Sequence, residues 1–112
     1  LDSADWQLRR AAAQSLGGVP DVRAGQALQR LAAQDPHWCV RRAAVMALGR
    51  RPDRALVPAL ISALEDEHWS VRAGAHETLV ALTSQKLADS PEAWRAWWGR
   101  QPEAQAPPGK KD

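Results

Sequence analysis

The sequence lacks phenylalanine and tyrosine, and it has one cysteine, Cys39. A single cysteine excludes an intramolecular disulfide and a cysteine-rich zinc site. No apolar run approaches the roughly 18 residues that are needed to cross a bilayer, and no signal-peptide pattern opens the chain. We therefore expect a soluble protein with no membrane association. The compartment cannot be read, although the cytoplasm is slightly favoured.

The net charge of +2 is too small to indicate nucleic-acid binding by itself. The 112 residues fit one domain, and 45% of them are hydrophobic. Because Phe and Tyr are missing, the apolar mass must come from alanine, leucine, valine and six tryptophans. Chains rich in alanine and leucine favour helix.

An internal repeat is the most informative feature of the sequence. Three segments share one pattern of tryptophan, arginine and alanine, and they are WQLRRAA at 6–12, WCVRRAA at 38–44 and WSVRAGA at 69–75. A fixed period of roughly 30 to 45 residues is typical of stacked-repeat proteins. The pattern therefore predicts an all-α fold, an α-solenoid of stacked antiparallel helix pairs. About 2.5 to 3 repeats span residues 1–100, with approximate bounds of 3–34, 35–66 and 67–100.

Each repeat begins with an amphipathic helix A. In the second copy, positions i, i+4, i+7 and i+8 are apolar and predict the buried stripe Val40, Ala44, Ala47 and Leu48. Gly49 follows this helix, and Gly17 follows the first one. Glycine can adopt the left-handed conformation that closes a helix, so we expect it here.

Each helix A is followed by a proline-aspartate turn and a helix B. Asp21 and Asp53 are placed to cap the helices that follow them. The predicted buried faces are Ala24, Ala27, Leu28 and Leu31 in the first copy and Leu56, Ala59, Leu60, Ala63 and Leu64 in the second. Pro58 removes a helical hydrogen bond, so this helix B should begin or kink near Val57. The third helix A is predicted over Trp69 to Thr83.

The last predicted helix runs from Pro91 to about Arg100, with Ser90 as its cap. Trp94, Trp97 and Trp98 lie on one face of it, since they are spaced i, i+3 and i+4. We expect this capping cluster to pack on the exposed side of the third helix A, which carries Val71, Ala75, Leu79 and Leu82. The proline-rich residues 101–112 are predicted to be disordered.

The motif WxVRRAAxxALG, followed by a PD turn and ALVPALISALED, resembles the HEAT repeats of the phycobilin-lyase-like type. The closing PEAWRAWW is similar to an ending of bacterial proteins with such repeats. The resemblance covers nearly all of residues 1–100 and implies a HEAT-like solenoid. It implies no single function, because these repeats occur in scaffolds, adaptors, lyase subunits and enzyme appendages.

Arginine recurs once in every copy, and aspartate precedes the second and third tryptophans by three residues. The resemblance implies that these side chains bridge adjacent layers as a structural ladder, formed by Arg9, Arg41, Arg72, Asp35 and Asp66. A guanidinium and a carboxylate match as a two-pronged pair. Phosphate recognition by the arginines stays open as an alternative.

The recurrent tryptophans Trp6, Trp38 and Trp69 are interpreted as packing residues, each set on the loop of the preceding repeat. The alternative is a ladder of rings on which a ligand stacks. If the parent protein has further repeats before this one, the outer face of the first helix, with Trp6 and Leu8, should be unusually apolar in this chain and can pair with a second copy.

Catalytic signals are weak throughout. The sequence has no nucleophile elbow, phosphate loop or zinc-protease motif, and Cys39 has no visible activating partner. His76-Glu77 is similar to the metal-binding pairs of HEAT-repeat deoxyhypusine hydroxylases, but Val45-Met46 and Ala13-Gln14 stand at the equivalent positions. His37 and His68 are interpreted as turn residues. We therefore expect no enzyme activity, no cofactor and no metal.

The leading hypothesis is a binding module for a protein or peptide, forming the C-terminal part of a longer chain that begins before Leu1. Solenoids present a concave surface, here predicted from the B helices, with candidate contacts Gln26, Gln29, Arg30, Ile61, Ser62 and Glu65. One alternative is a regulatory or substrate-handling subunit, such as that of a bilin lyase. A second is nucleic-acid backbone binding by Arg42, Arg50, Arg51 and Arg54, although a solvated face explains these residues better.

Overall fold

The computed structural model describes residues 5–51 and 53–105 of the chain, and the regular structure in these ranges is helical. A 3-10 turn, Arg54–Leu56, precedes the fourth of the seven α-helices that the described ranges contain. In chain order these are α1 (Trp6–Leu16), α2 (Val22–Gln34), α3 (Trp38–Leu48), α4 (Val57–Ala63), α5 (Trp69–Thr83), α6 (Pro91–Gly99) and the single turn α7 (Pro102–Gln105). No helix of the described part is both long and apolar enough to cross a membrane.

The first six helices form three layers of two. Helices α1 and α2 make the first layer, α3 and α4 the second, and α5 and α6 the third. Packing is mainly between layers, because α3 lies against both α1 and α2, and α5 lies against both α3 and α4. The B helices also follow one another, with α4 between α2 and α6. The predicted α-solenoid is confirmed.

The helix starts agree with the sequence pattern. Asp21 accepts a hydrogen bond from the Arg23 amide at 2.8 Å, and Asp53 accepts one from the Ala55 amide at 3.0 Å. The 3-10 turn ends where α4 begins at Val57, so the predicted late start of this helix is confirmed. Pro58 therefore lies in the first turn of α4, where its missing N–H costs no helical hydrogen bond.

The helix ends correct one expectation. Gly17 and Gly49 have φ of −58° and −67°, so neither adopts the left-handed conformation. Gly49 is instead required by close packing between layers, since a Cβ atom there would clash with Cγ2 of Thr78. The left-handed position is Ser84, which ends α5 with φ of 62°.

The core follows the predicted stripes. Val40, Ala44, Ala47 and Leu48 of α3 are all buried, as are most of the apolar positions predicted for helices α2 and α4. Apolar burial between layers supplies the main stabilisation of such a stack.

The tryptophan-rich helix α6 is the B helix of the third layer. Trp94 and Trp97 are buried and Trp98 is half-buried, while α6 packs mainly against α4. Trp94 also meets His76 of α5 edge-on, with ring centroids 6.2 Å apart. Its Nε1–H donates to the Ala88 carbonyl oxygen at 3.0 Å. The expectation that α6 packs on α5 alone is therefore corrected, because a terminal B helix packs on the preceding B helix.

The outer face of α6 is polar. Glu92, Arg95 and Arg100 are exposed, as expected for a terminal helix. Arg95 pairs with Glu65 at the end of α4. The predicted disordered tail is corrected at its start by the turn Pro102–Gln105, and residues 106–112 lie outside the described part of the chain.

Candidate interaction surfaces

Three tryptophans and two histidines form a stacked column of rings across the layers. Trp6 stacks on His37 with centroids 4.0 Å apart, and Trp38 stacks on His68 at 4.1 Å. Steps of 6.2 Å and 5.9 Å join His37 to Trp38 and His68 to Trp69. Trp6 and Trp38 thus pack on the turn of the following layer, so the expectation of the preceding loop is wrong. The matched histidines one residue before Trp38 and Trp69 were the signal for this arrangement.

The two histidines also begin helices. Nδ1 of His37 accepts the Cys39 amide at 3.1 Å, and Nδ1 of His68 accepts the Ser70 amide at the same distance. An accepting Nδ1 carries no proton, so the hydrogen of each neutral ring is on Nε2. The two histidines do not share a site, because the ring of Trp38 lies between theirs in the column.

Two arginine–aspartate forks join the layers. Nε and Nη2 of Arg9 donate to the Asp35 carboxylate at 2.8 and 3.1 Å. Arg41 makes the same pair of bonds to Asp66, at 2.8 and 3.1 Å. Nη1 of Arg41 donates to the Asp35 carbonyl oxygen at 2.8 Å, so Arg41 also holds the turn that enters its own layer. Such bidentate pairs combine strength with a fixed orientation.

The carboxylate of Asp35 is stabilised in its charged form. Burial raises its pKa, but hydrogen bonds from Arg9 and from the His37 amide more than compensate, so the pKa of Asp35 is lowered overall. Hydrogen bonding to Asp66 raises the pKa of the Arg41 guanidinium. The forks are therefore ion pairs at neutral pH.

We expect an acid-dependent loss of the Asp35 contribution. Because its folded pKa is lowered, this contribution is complete above the unfolded value of about 4 and is lost as the pH falls through the folded pKa. Urea unfolding of the wild type and of Asp35→Asn should give a difference in unfolding free energy that is largest near neutral pH and shrinks below about pH 4. Asp53→Asn, at an exposed cap, is the control. A difference independent of pH would contradict the assignment.

The basic residues near the second turn are engaged within the chain. Arg50 and Arg51 donate to main-chain carbonyl oxygens at the end of α1 and in the turn after it, namely those of Gln14, Leu16 and Asp21. Arg54 places its Cζ 5.6 Å from the ring centroid of Trp97. Cations are favourable at a helix C-terminus and over an indole face. Arg51 and Arg54 are half-buried, so the interpretation as a solvated face is corrected for these two, whereas Arg50 is exposed.

A groove of about 740 Å³ lies between the C-terminal halves of α2 and α4. Its lining includes four alanines (Ala32, Ala33, Ala59 and Ala63) and four carboxylates (Asp35, Glu65, Asp66 and Glu67). Arg41 is the one cation among its lining residues, and the fork to Asp66 engages it. The groove is therefore an alanine-lined surface with an acidic rim.

The predicted contact residues separate in the structure. Gln29, Ser62 and Glu65 line the groove, while Gln26 borders a smaller neighbouring pocket of about 310 Å³. Arg30 is exposed but lies outside the lining of both. Ile61 is 3% exposed and belongs to the core, so its place on the binding surface was wrong. Sequence reasoning missed Ala33 and Glu67, which also line the groove. Ala33 lies at i+4 from Gln29 in α2, and that spacing was a signal for it.

Leu8 is an uncovered apolar residue on the outer face of α1. Leu8 is 61% exposed, whereas Val40 and Val71 at the matching positions are fully buried by the layer before them. Self-association through this face stays a prediction.

His76 and Cys39 were the side chains considered for metal binding and catalysis, and both have structural contacts. Nε2 of His76 lies 2.8 Å from the Leu87 carbonyl oxygen, and Cys39 is a half-buried free thiol. Within residues 5–51 and 53–105, no three His, Cys, Asp or Glu side chains are grouped so that they can hold a metal ion.

Comparison with known families gives the class of protein. The family model described as HEAT repeats matches residues 1–53 and 30–93, which include every tryptophan–arginine unit of the stack. The chain belongs to the HEAT-repeat family. No curated protein matched the chain.

Proposed function

We propose that this chain is a protein-interaction module that holds a peptide segment of its partner in the groove between α2 and α4. HEAT repeats generally act as protein-interaction scaffolds, and the groove is the observation that supports this role here. Its volume of about 740 Å³ lies within the range of ligand sites, about 300–1,000 Å³.

The lining of the groove suggests the chemistry of the partner. Alanines allow a peptide backbone to approach closely, and the side chains of Gln29 and Ser62 can exchange hydrogen bonds with it. Glu67 is exposed on the rim, and Glu65 is held by Arg95. Asp35 and Asp66 are likewise paired with Arg9 and Arg41, so the exposed Glu67 is the carboxylate that favours a lysine or arginine in the segment, and this association should weaken as salt is added.

Selection from a random peptide library on the full chain tests the proposal. We expect bound peptides to be enriched in lysine and arginine and to lose about tenfold or more in affinity for Ser62→Trp, whose indole occupies the groove. Arg30→Trp is the matched control, since it adds the same ring outside the lining. Peptides that bind Ser62→Trp and the wild type equally well would refute this site.

The finer resemblance, to phycobilin-lyase-like repeats of bacterial proteins, would instead make the groove part of a substrate-handling subunit. Visible absorbance retained by the chain after incubation with a bilin and gel filtration would favour that role. Nucleic-acid binding has less support, because Arg50, Arg51 and Arg54 are engaged within the chain.

A further inference from the structure

The two inner junctions of the stack are built in the same way. A turn of sequence Asp-x-His enters each layer and brings two groups to the layer before it. Its carboxylate accepts the arginine fork, as Asp35 does from Arg9, and its imidazole stacks on the tryptophan, as His37 does on Trp6. The turn is held together internally, because the Asp35 carboxylate also accepts the His37 amide at 2.9 Å.

The second junction repeats this geometry, with the same hydrogen-bond distances and with ring centroids 4.1 Å apart instead of 4.0 Å. Asp66 accepts the fork from Arg41, His68 stacks on Trp38, and the Asp66 carboxylate accepts the His68 amide at 2.9 Å. An Asp-x-His turn is thus recognised twice by one tryptophan and one arginine spaced i, i+3 on a helix A. That spacing places both receptors on one face of the helix.

The third layer carries both receptors without a turn on them. Trp69 is 68% exposed, compared with 36% for Trp38, and among the described rings it stacks only with His68. Arg72 uses Nη1 for the carbonyl oxygens of Asp66 and Glu67, at 2.8 and 3.1 Å. In the described part of the chain, no carboxylate accepts from its Nε or Nη2, which form the fork in Arg9 and Arg41.

We propose that Trp69 and Arg72 form a second binding site, which takes an Asp-x-His turn at the start of a helix in a partner protein. The carboxylate of the turn pairs with the free fork of Arg72, and its imidazole stacks on the indole of Trp69. Both contacts are the same as those at the two inner junctions. They specify the charged group, the aromatic ring and the spacing that the partner must supply. Neither residue lines the groove between α2 and α4, so this site does not depend on the proposed function of that groove.

A second copy of this chain is a poorer occupant than a different protein. The residues before Trp6 that match Asp35 and His37 are Ser3 and Asp5. The first layer of a second copy therefore brings neither the carboxylate nor the ring at the required positions. In such a head-to-tail pair, the indole of Trp69 would lack a stacked imidazole and the guanidinium of Arg72 would lack a carboxylate.

Away from Trp69 and Arg72, the outer face of α5 also differs from the matching face of α3. His76 stands where α3 has the buried Val45, and it is covered by Leu87 and by Trp94. The segment between α5 and α6 thus closes the middle of the face and leaves its N-terminal end accessible. This opening suits a short turn better than the full length of another helix A.

A peptide titration tests the site. The probe is an acetylated peptide that copies residues 35–46 with Cys39→Ser, and the protein is the ¹⁵N-labelled full chain. The signals are the indole N–H of Trp69 and the Nε–H of Arg72, assigned with Trp69→Ala and Arg72→Gln. We expect saturable shifts of these two signals with a dissociation constant on the order of 0.1–1 mM, because a short peptide must order its helix on binding.

The variants separate the two contacts. The peptide with Asp35→Asn should bind about tenfold more weakly to the wild type, and the protein Arg72→Gln should no longer distinguish the two peptides. Trp69→Ala should weaken binding and remove the effect of His37→Ala in the peptide. Arg42→Gln and Ser62→Trp are controls that should leave the affinity unchanged, and thermal melting checks that each variant is folded.

Several results would overturn the proposal. These are the absence of saturable shifts, equal affinity for the Asp35→Asn peptide, and full affinity in both Arg72→Gln and Trp69→Ala. A Trp69 signal that shifts with protein concentration alone would assign the site to a second copy. Tighter peptide binding by a chain that ends at Gln105 would assign it to the C-terminal residues of the same chain.

Discussion

A chain shortened to end at Ser90 is expected to lose cooperative thermal unfolding or to aggregate, whereas a chain that ends at Gln101 should unfold like the full chain. The shorter chain lacks α6 and its buried Trp94 and Trp97. Each indole buries about 150–250 Å², so the two together represent roughly 8–12 kcal/mol of apolar burial at about 25 cal/mol per Å². That amount is comparable to the whole net stability of a typical domain, about 5–15 kcal/mol.

Single substitutions in the full chain also test how much α6 contributes to stability. Trp94→Ala should cost about 3–5 kcal/mol in the free energy of unfolding, because its fully buried ring leaves a cavity. Trp98→Ala should cost clearly less, since Trp98 is only half-buried. Circular dichroism and calorimetry measure both effects. A chain ending at Ser90 that melts like the full chain would show that α6 is dispensable for folding.

Replacing Arg41 by alanine is expected to destabilise the stack by about 2–4 kcal/mol, the range for leaving a largely buried charge partner unpaired. The change removes the fork to Asp66 and the hydrogen bond to the Asp35 carbonyl oxygen together. For a domain of this size, that loss corresponds to a melting temperature lower by about 8 °C or more.

The control for Arg41→Ala is Arg42→Ala, which removes the same charge from the next residue of α3 without breaking a fork. Its melting temperature should change by no more than a few degrees. If Arg41→Ala melted at the same temperature as Arg42→Ala, the forks would contribute orientation without stability, and the arginines would become candidates for partner contacts.

The repeated unit made most of the fold predictable. Trp6, Trp38 and Trp69 gave the period, and the apolar stripe around Val40 gave the buried face of helix A. Local chemistry placed Asp21 and Asp53 as caps and Pro58 near a late helix start. These features depend on neighbouring residues in the chain, which a sequence displays directly.

The errors came from contacts between layers. Whether Gly49 closes a helix or admits Thr78, and whether Trp38 packs backward or forward, depends on how two layers are offset. Ile61 was assigned to the surface because the exposed arc of α4 cannot be located from one helix alone. Arg51 was assigned to solvent because its carbonyl partners lie about one repeat away in the sequence. The repeat identifies equivalent residues in successive layers, but it does not determine how far apart the layers place them.

Some residues that line the groove between α2 and α4 can be predicted from a single helix, and others depend on contacts between layers. Gln29, Ser62 and Glu65 could be placed on it from helix periodicity. Ala33 lies at i+4 from Gln29 in α2, so periodicity predicts it as well, whereas Glu67 lies in the turn that joins two layers and cannot be placed from one helix.

Mapping a selected peptide onto the ¹⁵N-labelled chain tests the central claim most directly. If the groove holds the partner, the largest amide shifts on binding should cluster at Ala33, Ala59, Ser62 and Glu67, and they should disappear in Ser62→Trp. Shifts confined to the outer face of α1 or to α5, with the groove amides unchanged, would contradict the claim that the groove is the binding site of this HEAT-repeat module.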